Sequence, residues 1–115
     1  MSRRLAFPCL SLTALLMTGC GDQLRFTPSA DAPAGLAAVA EAQVKVVSSK
    51  PEKGVEIGRA VAELNWMFSD TARSNVIQEL GNHGATFAVL TESKRTNMGG
   101  TDVITVEGIG YVLKP

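Results

Sequence analysis

The amino-acid sequence predicts a small α+β domain: a mostly antiparallel sheet with one helix packed on one face, in the order ββαββ. Runs rich in β-branched residues alternate with turn-forming Gly and Pro, which is typical of strands. One segment alone, near residues 70–82, repeats apolar residues at helical spacing. The chain has 115 residues, enough for one small domain, and its 45% hydrophobic content is ordinary for a globular protein.

Two strands are predicted before the helix. Residues 44–47 form a short β-branched run, and residues 50–54 then have the proline-early, glycine-late composition of a turn. Residues 55–66 alternate apolar and polar side chains, but the apolar phase slips at Gly58, which predicts a bulge there. Continued alternation to the end of this strand places Trp66 in the core.

The single predicted helix covers residues 70–82. Its apolar residues lie on one side and polar residues cover the other, so we expect the helix to lie on the sheet. The segment 69–71 supplies candidate N-cap residues. Gly81 or Gly84 can end the helix, because each can adopt the left-handed conformation of a C-terminal cap.

The last two strands form a predicted hairpin. Residues 86–92 and 103–113 are the strand segments, and the Gly-Gly pair within 98–102 suits the turn because glycine allows positive φ. Gly108 and Gly110 interrupt the last strand, which indicates a bend or the close approach of another backbone.

Residues 1–19 are expected to be a signal peptide that is removed. Arg3 and Arg4 precede a predominantly apolar run of about 13 residues, shorter than the roughly 20 that a membrane-spanning helix needs. The alternative is a buried amino-terminal helix of the core. Such a helix should show polar residues at helical period, whereas this segment is apolar all round.

The signal ends in Met-Thr-Gly-Cys, residues 17–20, which resembles the bacterial lipobox of an aliphatic residue, two small residues and an acceptor cysteine. The resemblance implies cleavage before Cys20, a diacylglyceryl group on its thiol, and a fatty acid such as palmitate on its amine. Met17 departs from the family, where Leu is commonest, and ordinary cleavage with an unmodified Cys20 is the alternative. In such lipoproteins an aspartate directly after the cysteine tends to retain the protein in the inner membrane. Here Gly21 follows the cysteine and Asp22 comes only at the next position, so the resemblance implies the outer membrane, facing the periplasm.

Residues 20–43 are expected to join the lipid to the domain of residues 44–115. Their prolines, glycines and small polar residues are typical of a flexible tether. Leu24 and Phe26 are its large apolar exceptions, and they can either dock on the domain or dip into the lipid headgroups. Residues 36–43 are rich in alanine, and we expect either a helical turn there or an entry segment into the first strand.

Charge and cysteine content exclude several classes. The formal net charge is zero, and removal of Arg3 and Arg4 from the eleven basic residues leaves nine against eleven acidic ones, a net of −2. No basic face for nucleic acid is therefore indicated. Cys9 and Cys20 are the only cysteines, so the domain itself contains no disulfide.

Several segments of the domain carry a family resemblance. They are residues 72–75, 80–81, 84–86 and the Gly-Tyr pair 110–111. They resemble small proteobacterial lipoproteins of unknown function, whose domains are similar to the Rcs envelope-stress sensor lipoprotein and to YbjQ-like proteins. The resemblance covers about residues 44–113 and implies a shared fold. The stress-sensor family uses paired disulfides in its sensing domain, none of which is possible here, so no sensing residues are implied.

No residue cluster has the composition of a catalytic, cofactor or metal site. His83 is the only histidine and the domain lacks cysteine, so we expect an exposed corner residue rather than a zinc ligand. Asp70 and Glu79 lie nine positions apart, on opposite sides of the helix, so they do not form an acid–base pair. No serine has a nucleophile-elbow context, and Gly108-x-Gly110 lacks the following helix of a phosphate loop.

The apolar trio that ends the second strand is the remaining candidate for a contact. Met67 and Phe68 are candidate contacts with a partner or a membrane, because Met and aromatic residues are enriched at interfaces. We therefore expect a binding or signalling module, anchored to the membrane through lipid on Cys20 and contacting an envelope protein. A structural lipoprotein that stabilises the envelope is the alternative, and a small hydrolase is disfavoured. No enzyme activity, cofactor or nucleic-acid partner is expected.

Overall fold

A computed structural model describes residues 24–114; the predicted signal peptide and Cys20 lie outside them. Five strands form one sheet: β1 is Arg25–Pro28, β2 is Lys45–Val47, β3 is Gly54–Asn65, β4 is Phe87–Thr96 and β5 is Asp102–Leu113. The helix α1 is Ser69–Asn82. The strand order is β1-β3-β5-β4-β2, and every pairing is antiparallel except that of β2 with β4. The predicted class, α+β with a mostly antiparallel sheet and one helix on one face, is confirmed.

The first strand of the sheet lies inside the predicted tether, so the order is βββαββ rather than ββαββ. β1 pairs antiparallel with β3, with Arg25 opposite Val61. Leu24 and Phe26 pack against the core. The prediction of a flexible tether through residue 43 is therefore wrong from Leu24 onward, and docking on the domain is the correct alternative for these two side chains.

After β1 the chain crosses to the opposite edge of the sheet, past the carboxyl-terminal end of α1. The Val39 N–H donates a hydrogen bond of 2.7 Å to the Gly81 carbonyl. Glycines make this contact possible: a Cβ on Gly81 would lie 2.3 Å from the Val39 carbonyl oxygen, and one on Gly84 would lie 2.5 Å from Leu36 Cβ. The predicted helical turn is present at Glu41–Gln43.

The central strands follow the predicted alternation. β3 pairs with β5 along its length, and the register shifts between Glu56 and Gly58, which confirms the predicted bulge. The extra residue, Ile57, is only 2% exposed, so the bulge delivers an additional side chain to the core. The turn before β3 also forms as predicted, with a 2.9 Å hydrogen bond from the Gly54 N–H to the Pro51 carbonyl.

The start of α1 differs from the predicted cap. Ser69 lies within the helix, and Phe68 at the N-cap position makes no side-chain capping bond. A 3-10 turn, Trp66–Phe68, leads directly into the helix, and the Ser69 N–H donates to the Trp66 carbonyl. The prediction of a side-chain cap within 69–71 is therefore wrong, because the preceding turn already satisfies an N–H of the first turn.

The end of α1 is a Schellman motif. The Ala85 N–H donates to the Leu80 carbonyl at 3.0 Å, and the Gly84 N–H donates to the Gly81 carbonyl at 2.9 Å. Gly84 has φ +99°, which its lack of a side chain permits. Gly84 is thus the residue that ends the helix.

The core lies between α1 and one face of the sheet. Its largest fully buried side chains come from both layers: Ile57, Val76, Leu80, Ile104 and Val106. Glycine at position 108 lets the layers approach closely, because a Cβ there would lie 2.5 Å from Val76 Cγ1. The glycine that interrupts β5 therefore allows a close approach, but the groups that approach are side chains of the helix and not another backbone.

Candidate functional site

The junction between β3 and α1 exposes three large apolar side chains in succession. β3 ends at Asn65, whose Oδ1 accepts a hydrogen bond of 2.9 Å from the Met67 N–H. The exposed fractions are 41% for Trp66, 80% for Met67 and 53% for Phe68. Neighbouring apolar side chains that remain exposed mark contact surfaces more often than isolated ones do.

The prediction that Trp66 is a core residue is wrong. It required strand alternation through residue 66, but the Asn65 side chain caps the 3-10 turn and the strand ends one residue earlier. The indole instead lies at the surface, with Lys94 Nζ 4.4 Å from its ring centroid, in cation–π geometry. Met67 and Phe68 are exposed as their assignment requires, and their contact with a partner stays a prediction.

A fourth exposed apolar residue lies at the same end of the sheet. Val103 of β5 pairs with Asn65 of β3, so the β4–β5 turn of residues 97–101 lies beside the Trp66–Phe68 turn. Met98 in that turn is fully exposed. We call this part of the molecule, formed by the Trp66–Phe68 turn and residues 97–101, the aromatic end.

Charged side chains next to the aromatic end are held by partners within the domain. The Thr96 hydroxyl donates to Asp102 Oδ1 at 2.6 Å, and Lys94 Nζ lies 3.5 Å from Asp102 Oδ2. The hydrogen bond from Thr96, assisted by the Lys94 charge, lowers the pKa of Asp102 below its ordinary value. The carboxylate therefore stays ionised and neutralises the nearby ammonium.

The sheet face opposite α1, which we call the open face, carries cross-strand ion pairs. Arg59 lies 3.1 Å from Glu107, and Arg95 lies 2.9 Å from Glu63. The hydrogen bond from Arg95 lowers the pKa of Glu63 below its ordinary value. Tyr111 is on the same face but only 6% exposed, and its burial raises the pKa of the phenol.

The candidate acids on α1 bind different partners, as their spacing predicted. Asp70 pairs with Arg73, which also binds Glu92 of β4. The hydrogen bond from Arg73 to Glu92 raises the pKa of the guanidinium. Glu79 instead lies 3.2 Å from His83 Nε2. Asp70 and Glu79 therefore form ion pairs on the helix surface with Arg73 and His83, and they do not pair with each other.

His83 has a partner that the sequence did not reveal. Its side chain is 45% exposed, which confirms the predicted exposed position. The imidazole stacks on the Phe26 ring, with centroids 3.7 Å apart and an interplanar angle of 3°. The Phe26 ring also covers Gly58, where a Cβ would lie 2.3 Å from Cζ. The only histidine thus holds β1 against the helix end.

The remaining surface offers no stronger site within residues 24–114. No three His, Cys, Asp or Glu side chains of this part of the chain are placed to share a metal ion. None of the helices described there is long and apolar enough to cross a membrane. An open depression at the end of the sheet opposite the aromatic end is lined by Asp31, Lys50, Glu56 and Lys114, among others.

Comparisons with known proteins bear on the fold. No family model matches the chain, and no curated protein matches its sequence. Among solved structures, it is similar to the crystal structure of the Francisella virulence factor FvfA in its orthorhombic form, with a TM-score of 0.61 and 15% identity. The similarity covers 77% of this chain and 96% of that one. At this identity the likeness shows a shared fold.

Proposed function

We propose that this protein is a lipid-anchored lipoprotein of the bacterial envelope, whose domain is a non-enzymatic binding module held close to the membrane. The observation that carries the proposal is the Met-Thr-Gly-Cys sequence, residues 17–20, placed at the end of a short apolar run. Cleavage before Cys20 would remove none of the residues that form the described domain, which begins at Leu24.

The position of β1 makes the attachment short. Cys20 precedes Leu24 by four residues, and four residues span at most about 14 Å when fully extended. The predicted tether of residues 20–43 would instead have let the domain move far from the lipid. On this proposal the binding module works at the surface of its own membrane, which is the outer membrane if Gly21 after the cysteine has its usual effect.

The aromatic end and the open face are the surfaces that support a binding role. The aromatic end exposes Trp66, Met67 and Phe68 together, and such side chains contribute strongly to contacts. The open face presents the paired charges of Arg59 and Glu107, which the helix does not cover. A partner or a lipid surface can therefore contact apolar groups at the aromatic end, and a partner can meet charged groups on the open face.

Replacement of Cys20 by Ser tests the anchoring. Cells that express Cys20→Ser and are fed an alkyne fatty acid should give an unlabelled protein that leaves the membrane fraction, because the acceptor thiol is missing. Cys9→Ser is the matched control, since Cys9 lies within the predicted signal, and it should be labelled like the unaltered chain. Equal labelling of the Cys20→Ser variant and the unaltered protein would refute the proposal.

The final location is tested in the same cells. Separation of inner and outer membranes by density should place the labelled protein in the outer-membrane fraction. A substitution of Gly21→Asp should shift it toward the inner membrane, because aspartate directly after the acceptor cysteine is the retention signal that the lipobox resemblance implies. Recovery of the unaltered protein in the inner membrane would overturn the assignment to the outer membrane and leave the lipid anchor standing.

A further inference from the structure

The exposed large apolar side chains are concentrated at one end of the domain. Within residues 24–114 there are six of them, and four lie at the aromatic end: Trp66, Met67, Phe68 and Met98. The other two, Val46 and Leu113, lie apart from this group, and Leu113 is at the opposite end of β5. The uneven distribution indicates that one end of the sheet meets an apolar environment.

The direction of β1 points the lipid attachment site toward the same end. β1 is antiparallel to β3, with Arg25 opposite Val61, so the chain preceding Arg25 leads toward the end of β3. Leu24, the first described residue, packs against the core. Cys20 precedes Arg25 by five residues, and Trp66 follows Val61 by five residues, so the two stretches of chain have equal length.

Chain length excludes the other end of the sheet. Five extended residues reach at most about 18 Å from Arg25. Val61 pairs with Glu107 and Gly54 pairs with Leu113, so the opposite end of the sheet lies six residues of β5 away, which corresponds to roughly 20 Å. The backbone of Cys20 can therefore lie level with the aromatic end but cannot reach the level of Gly54 and Leu113.

We infer that the aromatic end is seated in the interface of the same membrane that holds the lipid on Cys20, with Trp66, Met67 and Phe68 among the headgroups. This inference rests on the proposed lipid anchor and names the surface that the domain turns toward the bilayer. Aromatic and apolar side chains are the groups that favour the headgroup region. The anchor raises their effective concentration at the bilayer, so a small apolar patch is sufficient.

The charges near this patch are compatible with a lipid surface. Lys94 is neutralised by Asp102, and Arg95 by Glu63. Lys94 also lies over the Trp66 ring, so this neutralised ammonium would lie among the headgroups at the depth of the indole. With the aromatic end in the membrane interface, the strands run roughly along the bilayer normal. The open face then does not face the bilayer and is accessible from the periplasm.

Trp66 is the single tryptophan of the chain and therefore reports its own surroundings. The mature chain, residues 20–115, is coupled through the Cys20 thiol to a maleimide lipid in vesicles of phosphatidylethanolamine and phosphatidylglycerol. Emission is compared between vesicles with and without brominated acyl chains. Seating of the indole near the acyl boundary should lower its emission in brominated vesicles by about twofold and shift it to shorter wavelength.

Charge substitutions at the two ends make the test specific. Met67→Glu and Phe68→Glu should abolish most of the quenching, because a carboxylate disfavours the headgroup–acyl boundary. Leu113→Glu places the same charge at an exposed apolar position of the opposite end, 49% exposed, and should leave the quenching unchanged. The inference is overturned if Trp66 is unquenched in the unaltered chain, or if all three variants reduce quenching equally.

The coupling to Cys20 is chemical, so this result does not depend on acylation in the cell. Mass spectrometry of the protein purified from membranes reads the acylation separately. Unmodified Cys20 in that measurement would defeat the proposed lipoprotein. Acylated Cys20 with an unquenched Trp66 would leave the lipoprotein standing and refute the seating, in which case the aromatic end is available to a protein partner instead.

Discussion

The two faces of the sheet are built from different chemistry although they share the same strands. On β5 the residues that face α1 are fully buried, such as Ile104 and Val106, or lack a side chain, such as Gly108. Their neighbours on the open face, Thr105 and Glu107, are half-buried and bind charged partners on β3. The covered face therefore sets the stability of the domain, and the open face tolerates polar groups that a partner can meet.

Removal of a buried side chain should give the largest contrast. Leu80→Ala leaves a cavity between α1 and the sheet, because Leu80 is fully buried, and should lower the free energy of unfolding by about 2–5 kcal/mol. Leu113→Ala, at a position that is 49% exposed, should lower it by about 0.5 kcal/mol or less. Urea unfolding of both variants measures the difference. Equal losses would show that the covered face has no special role in stability.

Addition of a single methyl group should give the next largest contrast. A Cβ on Gly108 would meet Val76 Cγ1 at 2.5 Å and Leu80 Cδ1 at 2.9 Å, so Gly108→Ala forces the helix and sheet apart. We expect a loss of about 1–3 kcal/mol in unfolding free energy. Gly99→Ala, in the β4–β5 turn where nothing lies within 4 Å, should change it by no more than about 0.5 kcal/mol. A neutral Gly108→Ala in urea melts would contradict the close packing described for this face.

An ion pair of the open face should give the smallest contrast, and one that depends on pH. The pKa of Glu63 in the folded protein lies below its ordinary value of 4.5, chiefly through the hydrogen bond from Arg95, so its ionised form stabilises the fold above that pH. The contribution is lost as pH falls through the lowered pKa. Because the Arg95 and Glu63 side chains are 57% and 36% exposed, solvent screening keeps Glu63→Gln to at most about 0.5 kcal/mol at neutral pH.

The test is the difference in thermal stability between the unaltered chain and Glu63→Gln at pH 7 and at pH 3. It should be measurable at pH 7 and smaller at pH 3, because protonation of Glu63 weakens its pairing with Arg95. Glu52→Gln is the matched control, because Glu52 is exposed and has no ion pair within residues 24–114. A Glu63→Gln effect that is the same at both pH values would assign the stabilisation to shape rather than to charge.

Most of the fold was predictable because its elements are long and amphipathic. α1 repeats apolar residues at the helical period and the long strands at the strand period. These periods are visible in the sequence without knowledge of the elements that pack against them. β1 was missed because it has only four residues, ends in Pro28 and gains its place by pairing with β3. The one local signal was Leu24 and Phe26, spaced two apart as on one face of a strand.

The candidate site was predictable in part. Residue type alone predicts Met67 and Phe68 as contact residues, whereas extension of the strand alternation through residue 66 wrongly predicts Trp66 in the core. The information that ends the strand is the Asn65 side chain, which bonds the Met67 N–H in place of a ladder partner. The stacking of His83 on Phe26 could not be predicted from the sequence, because the two rings come together only when β1 pairs with the sheet.

The place of β1 at the edge of the sheet determines how the domain would bear mechanical force. On the proposed anchoring, any pull on the domain away from the bilayer enters the fold at Arg25 and runs along the strand axis. The hydrogen bonds between β1 and β3, from Arg25 opposite Val61 to Pro28 opposite Gly58, are then loaded together in shear rather than opened one after another. The stack of Phe26 on His83 adds a contact between β1 and the end of the helix. The same four residues that complete the sheet would thus be the segment through which the domain withstands a force directed away from its membrane.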